Sequence, residues 1–223
     1  MQLQKEVFEA LRELKANNNR DWFETHKKEF KKEEKNAKNF FEVLLDLLKT
    51  HDEVDKMKMF RIYRDVRFSK DKTPYKTHFS ASFHRVKPRL RGGYYLQIEP
   101  GNSFLACGFW APEKADLLRI RKEFELDDSE IRALINSKDF KDTFGMLKGD
   151  ELKTAPKGFD KDHPAIDLIR KKQFIVIKEF NDKEVLSQGF MNEVNEVFKK
   201  IRPYFDYMSE ILTTDLNGVS LID

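Results

Sequence analysis

Between Thr77 and Glu99 the chain alternates with a period of two in two runs, and this feature most constrains its fold. Thr77, Phe79, Ala81 and Phe83 are interleaved with His78, Ser80, Ser82 and His84. Successive strand side chains point to opposite faces, so this run predicts a half-buried strand. Gly92-Gly93 interrupts it, and a second alternation sets Tyr94, Leu96 and Ile98 against Tyr95, Gln97 and Glu99. Pro100-Gly101-Asn102 is a turn signal. Phe104 to Trp110 is apolar at both parities and predicts a central strand. Strands joined by such short turns can only be antiparallel neighbours, a β-meander. Met57–Ile62 adds a strand before them and Phe174–Phe180 one after, giving about four to five.

The flanks have a different period. Leu3, Val7, Leu11 and Leu14 recur at helical spacing, and Asn17-Asn18-Asn19 ends that helix. Asn19 or Asp21 caps a second helix through Trp22, Phe23 and Phe30 to Leu48, with a break expected near Asn36. Pro112 opens helices at roughly 113–124, 128–136 and 138–144, and a short helix runs from Asp162 through Arg170. Phe190, Val194, Val197, Phe198, Ile201, Phe205, Met208 and Leu212 share one face of a last helix, kinked at Pro203. Helices, then antiparallel strands, then helices define an α+β class. The expected layout is one domain over 1–223. It has a helical part at 1–50, strands at 57–110, helices and loops at 112–170, a strand at 174–180 and a helix at 188–213.

A chain of 223 residues can bury a sizeable core without staples. Its 20 Phe argue against disorder. The single cysteine, Cys107, excludes an internal disulfide and any cysteine-cluster zinc site, and fits a reducing compartment. The first residues lack the apolar run of a secretory leader, and Asp46 interrupts the longest apolar patch. A cytoplasmic protein with no membrane partner is expected. No glycine-rich nucleotide-binding motif is present, so no cofactor is expected.

The net charge of +3 hides an asymmetry. Between Lys56 and Arg91 stand 12 Lys/Arg against 2 Asp/Glu, a local net of +10, which leaves −7 for the remainder. Arg61, Arg64, Arg67 and Lys70 recur every third residue. Neither strand nor helix aligns that spacing, so an irregular path is expected. Arginine's fork of donors matches phosphate or carboxylate oxygens in pairs. Arg61, Arg64, Arg67, Ser69, Lys70, Lys72, Tyr75 and Lys76 are therefore the candidate ligand-binding residues. His78, Glu99 and Tyr95 are weak acid–base candidates beside them. The competing reading is structural, since Asp65 and Asp71 sit within the segment and can neutralise it. Asp160, Asp162 and His163 are read as a loop and a helix cap rather than a metal site.

The run Phe60 to Phe79 resembles the core motif of a bacterial and fungal family catalogued as domain of unknown function 2461. Asn18–Phe23 with His26-Lys27, Gly93–Pro100, Gly108–Pro112 and Pro156–Pro164 resemble its other blocks. The resemblance covers nearly the whole chain and implies a single family domain. It implies no activity.

Three functions are compatible with the sequence. The first is binding or processing of a small phosphate- or carboxylate-bearing ligand at the basic cluster. The second is a protein-interaction module whose basic segment is salt-bridged. The third is nucleic-acid binding by basic residues interleaved with Phe60, Tyr63, Phe68, Tyr75 and Phe79. No reaction and no oligomeric state is read from the sequence.

Overall fold

The computed structural model describes residues 1–222. The strands are β1 (Val54–Met59), β2 (Phe79–Arg85), β3 (Gly93–Ile98), β4 (Ser103–Phe109) and β5 (Phe174–Phe180). They form one antiparallel sheet in the order β1-β2-β3-β4-β5, with helices before and after, so the class is α+β. The chain divides into two compact units whose boundaries fall inside strands β2 to β5.

The first unit comprises Met1–Phe83, Tyr95–Leu105 and Glu179–Glu196. It holds α1 (Lys5–Ala16) and α2 (Arg20–Leu48). Asn19 caps α2 by accepting from the Trp22 N–H at 2.9 Å. Phe23, Phe30, Ala37, Phe41, Leu44 and Leu48 lie on its buried face. The expected break at Asn36 is absent, and α2 runs unbroken for 29 residues. The Asn36 amide donates to Glu33 and Gln4 at 2.8 and 3.1 Å, so it does not compete for its own backbone. Phe30 meets Phe79 of β2 at 5.4 Å between ring centres.

β1 starts and ends three residues earlier than expected. From Phe60 the chain stays extended but leaves the sheet and pairs with residues 74–76. Arg64 N donates to Pro74 O at 2.9 Å and Lys76 N to Ile62 O at 2.8 Å, around an antiparallel Tyr63–Tyr75 bridge. Alternation therefore continues where the sheet does not.

The second unit comprises His84–Tyr94, Ala106–Lys178 and the chain from Val197 on. It contains α3 (Lys114–Leu126), α4 (Ser129–Asn136), α5 (Lys138–Phe144) and the single turn α6 (Ile166–Ile169), shorter than expected. The first unit also has an unexpected turn, α7 (Asp182–Val185), closed by an Asn181–Glu184 capping box. The expected helix at 188–213 is two helices, α8 (Phe190–Lys200) and α9 (Arg202–Thr213). Pro203 lies in the first turn of α9, where its missing N–H costs nothing, so it starts a helix instead of kinking one. Within the second unit, Tyr94, Phe109 and Tyr204 pack around Phe205. Gly108 has φ +133°, and a Cβ there would lie 2.2 Å from the Phe174 carbonyl oxygen, so only glycine lets β5 approach. Cys107 beside it is buried, and burial pushes its thiol well above the ordinary range.

Candidate functional site

The basic segment divides among three environments. The first is the loop 64–72. Arg64 Nη1 bonds Asp71 Oδ2 at 2.5 Å and also the Thr73 hydroxyl. Asp71 takes further hydrogen bonds from the Thr73 N–H and hydroxyl, and with Arg64 these hold its carboxyl down to about 2. Arg67 grips Asp65 through two donors, at 3.0 and 2.7 Å, and this lowers the Asp65 pKa. Lys72 donates to the Val66 carbonyl at 2.9 Å. Lys70 is exposed, Ser69 half-buried, and neither side chain joins these pairs. Phe68 at the tip is 96% exposed.

Behind this loop, Asn18 ties the α1–α2 corner to the ribbon. Its amide donates to Tyr75 O at 2.9 Å and its oxygen accepts from Tyr75 N at 3.1 Å. Phe23 stacks on Tyr75 at 4.1 Å. The two motif stretches, around Asn18–Phe23 and Phe60–His78, therefore meet. They line a cleft of about 300 Å³ with Arg20, Glu24, Tyr63, Arg64 and Tyr75, and an open one of about 510 Å³ with Asn19, Arg20 and Lys72. The cleft is largely neutralised. Arg64 holds Asp71, Glu24 holds Lys27, and Arg20 alone of its cations makes no polar contact among the described residues.

The second environment is the outer face of the sheet in the first unit. Phe60 directly follows β1, its N–H donating to Ser80 O at 2.9 Å. Two ammonium groups sit at its ring, Lys76 at 5.3 Å and Lys58 at 5.7 Å from the centre. Burial, and then the Arg61 charge, hold the Lys76 ammonium below the ordinary lysine value. Among the described residues, no carboxylate pairs with Lys58, Arg61 or Lys76. The Phe60 ring lies 6.1 Å from Tyr95, and Tyr95 5.7 Å from Phe104.

The acid–base candidates lie beside this group. The face expected to be polar is polar but buried. The Tyr95 hydroxyl donates to Gln97 at 2.9 Å, and the Gln97 amide to Glu99 at 2.9 Å. Glu99, 8% exposed, also accepts from Thr77 at 2.5 Å and Asn102 at 2.9 Å. A carboxylate holding three neutral donors is a hub that orders its neighbours rather than a free base. His78 Nδ1 stands 3.9 Å from Glu99, outside hydrogen-bond range. Burial lowers the His78 pKa more than Glu99 raises it. Burial raises the Tyr95 phenol, and a Ser80 hydrogen bond partly opposes that.

The third environment is the second unit, where Arg85 and Arg91 are structural. The Arg85 side chain is fully buried, donating to Asp206 at 3.0 Å, to the Arg91 carbonyl at 3.0 Å and to Ser209 at 3.3 Å. Its guanidinium lies 5.1 Å over the Phe205 ring. Arg91 pairs with Asp116.

Of the predicted ligand residues, the structure groups Arg61 with Lys76, and places Arg64, Lys72 and Tyr75 at the cleft. Arg67, Ser69 and Lys70 belong to the loop between. Lys58 was not expected, although the alternation Lys56-Met57-Lys58-Met59-Phe60 puts it on the Phe60 face. Two of the aromatics proposed for stacking, Tyr75 and Phe79, are 3% and 1% exposed and belong to the core. Trp110, placed in a central strand, lies just past β4 and is exposed. His84 belongs to the second unit. The Asp160 carboxylate accepts from Asp162 N, and His163 Nδ1 from Ala165 N, so these residues shape a turn. Among the described residues, no helix is long and apolar enough to cross a membrane.

No curated protein and no solved structure matches the chain. A family described as "Conserved hypothetical protein (DUF2461)" matches residues 6–207. That match takes in both motif stretches that meet at the ribbon and every residue of the Phe60 group, and the chain belongs to the DUF2461 family.

Proposed function

We propose that the protein binds a small anionic ligand, bearing phosphate or carboxylate, at Lys58, Arg61 and Lys76 around Phe60. One observation carries this. Lys58 and Lys76 lie at one ring with Arg61 near enough to act on Lys76, and none of the three is ion-paired among the described residues, whereas Arg64 and Arg67 a few residues away are. Like charges held close repel, and an anion between them converts that repulsion into attraction. Burial is the main cause of the lowered Lys76 pKa, and the Arg61 charge adds to it. The acid–base candidates support binding more than turnover, since no acid and base stand within hydrogen-bond distance of each other.

Thermal unfolding in pyrophosphate and citrate at low ionic strength tests the reading. At one hundred times Kd a ligand adds about 2.7 kcal/mol of stability. The shift should be seen in wild type and in Arg67→Ala, and be lost in Arg61→Ala/Lys76→Ala. A wild-type protein indifferent to both anions refutes the proposal.

A second reading has its own observation. The 64–72 loop is rigidified by internal ion pairs and presents Phe68 almost wholly to solvent, as a protein-docking tip would. Light scattering on wild type and Phe68→Ser checks it. Identical monomers in both would rule out self-association through Phe68.

A further inference from the structure

The Phe60 group adjoins a row of aromatic rings. Phe60 directly follows β1, Tyr95 belongs to β3 and Phe104 to β4, and their rings form one row. Ring centres are 6.1 Å apart from Phe60 to Tyr95 and 5.7 Å from Tyr95 to Phe104. Phe60 and Tyr95 reach each other across β2 because the residue between them is small. Ser80 accepts from the Phe60 N–H through its carbonyl, hydrogen-bonds Tyr95, and is 2% exposed. The rings themselves remain partly exposed. Beneath them the Tyr95–Gln97–Glu99–Asn102 hydrogen bonds fix the middle ring, so little side-chain freedom remains to be lost on binding. The one carboxylate in that network, Glu99, is buried and saturated by donors. The cations Lys58, Arg61 and Lys76 stand at one end of the row.

We infer that this face binds single-stranded nucleic acid, with bases stacking on Phe60, Tyr95 and Phe104 and backbone phosphates meeting Lys58, Arg61 and Lys76. The inference rests on the anion site proposed above and names the class of its ligand. An antiparallel sheet with aromatic rings in a row is a surface on which unpaired bases stack. Stacking accepts any base because every base has a π-face, and lysine or arginine beside the rings follows the backbone. A duplex keeps its base faces inside and gains nothing from such rings. A carboxylate metabolite would use the cations but leave Tyr95 and Phe104 idle.

The test is fluorescence anisotropy with labelled twelve-residue oligo-uridine and oligo-deoxythymidine, with pyrophosphate as the anion-only competitor. A single strand is expected to bind more tightly than pyrophosphate or a duplex of equal length. Affinity should fall with salt, by a logarithmic slope of about 0.7 per phosphate contacted. Lys58→Ala and Lys76→Ala should each reduce that slope. Phe104→Ala and Tyr95→Ala should each weaken binding about tenfold, within the range for one stacked base. Arg67→Ala, whose ion pair lies in the 64–72 loop, should bind as wild type, and unchanged far-ultraviolet circular dichroism of Tyr95→Ala and Phe104→Ala guards against misfolding. The tighter of the two oligonucleotides names the nucleic acid.

If pyrophosphate binds and the oligonucleotides bind no better, or if Tyr95→Ala and Phe104→Ala bind as wild type, the inference is overturned while the anion site stands. Equal affinity for the duplex also overturns it. Binding of neither probe removes both readings.

Discussion

Phe60 and Phe205 each have basic groups over the ring, and the surroundings of those groups are opposite. Over Phe205 lies Arg85, fully buried and matched to Asp206, a carbonyl and a hydroxyl. At Phe60 lie Lys58 and Lys76, with Arg61 close by; Arg61 feels the Asp65 charge, but none of the three forms an ion pair among the described residues. The first arrangement completes itself within the protein. The second has no ion pair among the described residues. A run of basic residues is therefore not one feature, and what separates its parts is whether the chain itself supplies the counter-charge.

Three substitutions sharpen this contrast. Arg85→Ala has the largest expected effect. It leaves the Arg91 carbonyl and Ser209 short of a donor and opens a cavity over Phe205. The loss should be about 3 kcal/mol in urea unfolding, at the lower end for broken buried pairs because Asp206 is half-exposed. Arg85→Met, which refills the volume without a charge, should recover part of it. A loss as small as that of a surface substitution would show that Arg85 is not the anchor described.

Lys76→Met should act in the opposite direction. The folded-state pKa of Lys76 lies below its unfolded value, so the charged form is disfavoured in the folded protein. That penalty is fully present at neutral pH and is relieved as pH rises through the folded pKa towards 10.5. The variant should therefore melt higher at pH 7, by roughly 2 °C, and the difference should shrink in alkaline buffer. A lower melting temperature at pH 7 would mean that Lys76 has an internal partner.

The smallest effect belongs to Arg67→Ala. Arg67 is exposed and its ion pair is local, so neither unfolding midpoint nor anion affinity should change. A measurable loss of affinity would move the binding site to the loop.

Much of this fold is legible locally. Alternation places β2 and β3, and an apolar run places β4, within about two residues, because these local patterns need no knowledge of the partner. It failed at β1, since Phe60–Ile62 stays extended while exchanging a sheet partner for a ribbon partner. The site was less legible. Arg67 and Asp65 are two residues apart, and their pairing could be anticipated. Arg64 reaches Asp71 only once the loop closes, and Arg85 reaches Asp206 across 121 residues. One sign was present: Arg85 continues the parity of Phe79, Ala81 and Phe83, and a cation on the core-facing parity announces a buried pair. Lys58 stands out only when charge is read by strand face, because density along the chain does not single it out.

The buried thiol of Cys107 gives the molecule a built-in clock. It is the only sulfhydryl in the chain, and its burial suppresses the reactive thiolate. A thiol reagent can reach it only when β4 opens. The labelling rate of the unmodified protein thus times that opening, with no dye or tag to be introduced.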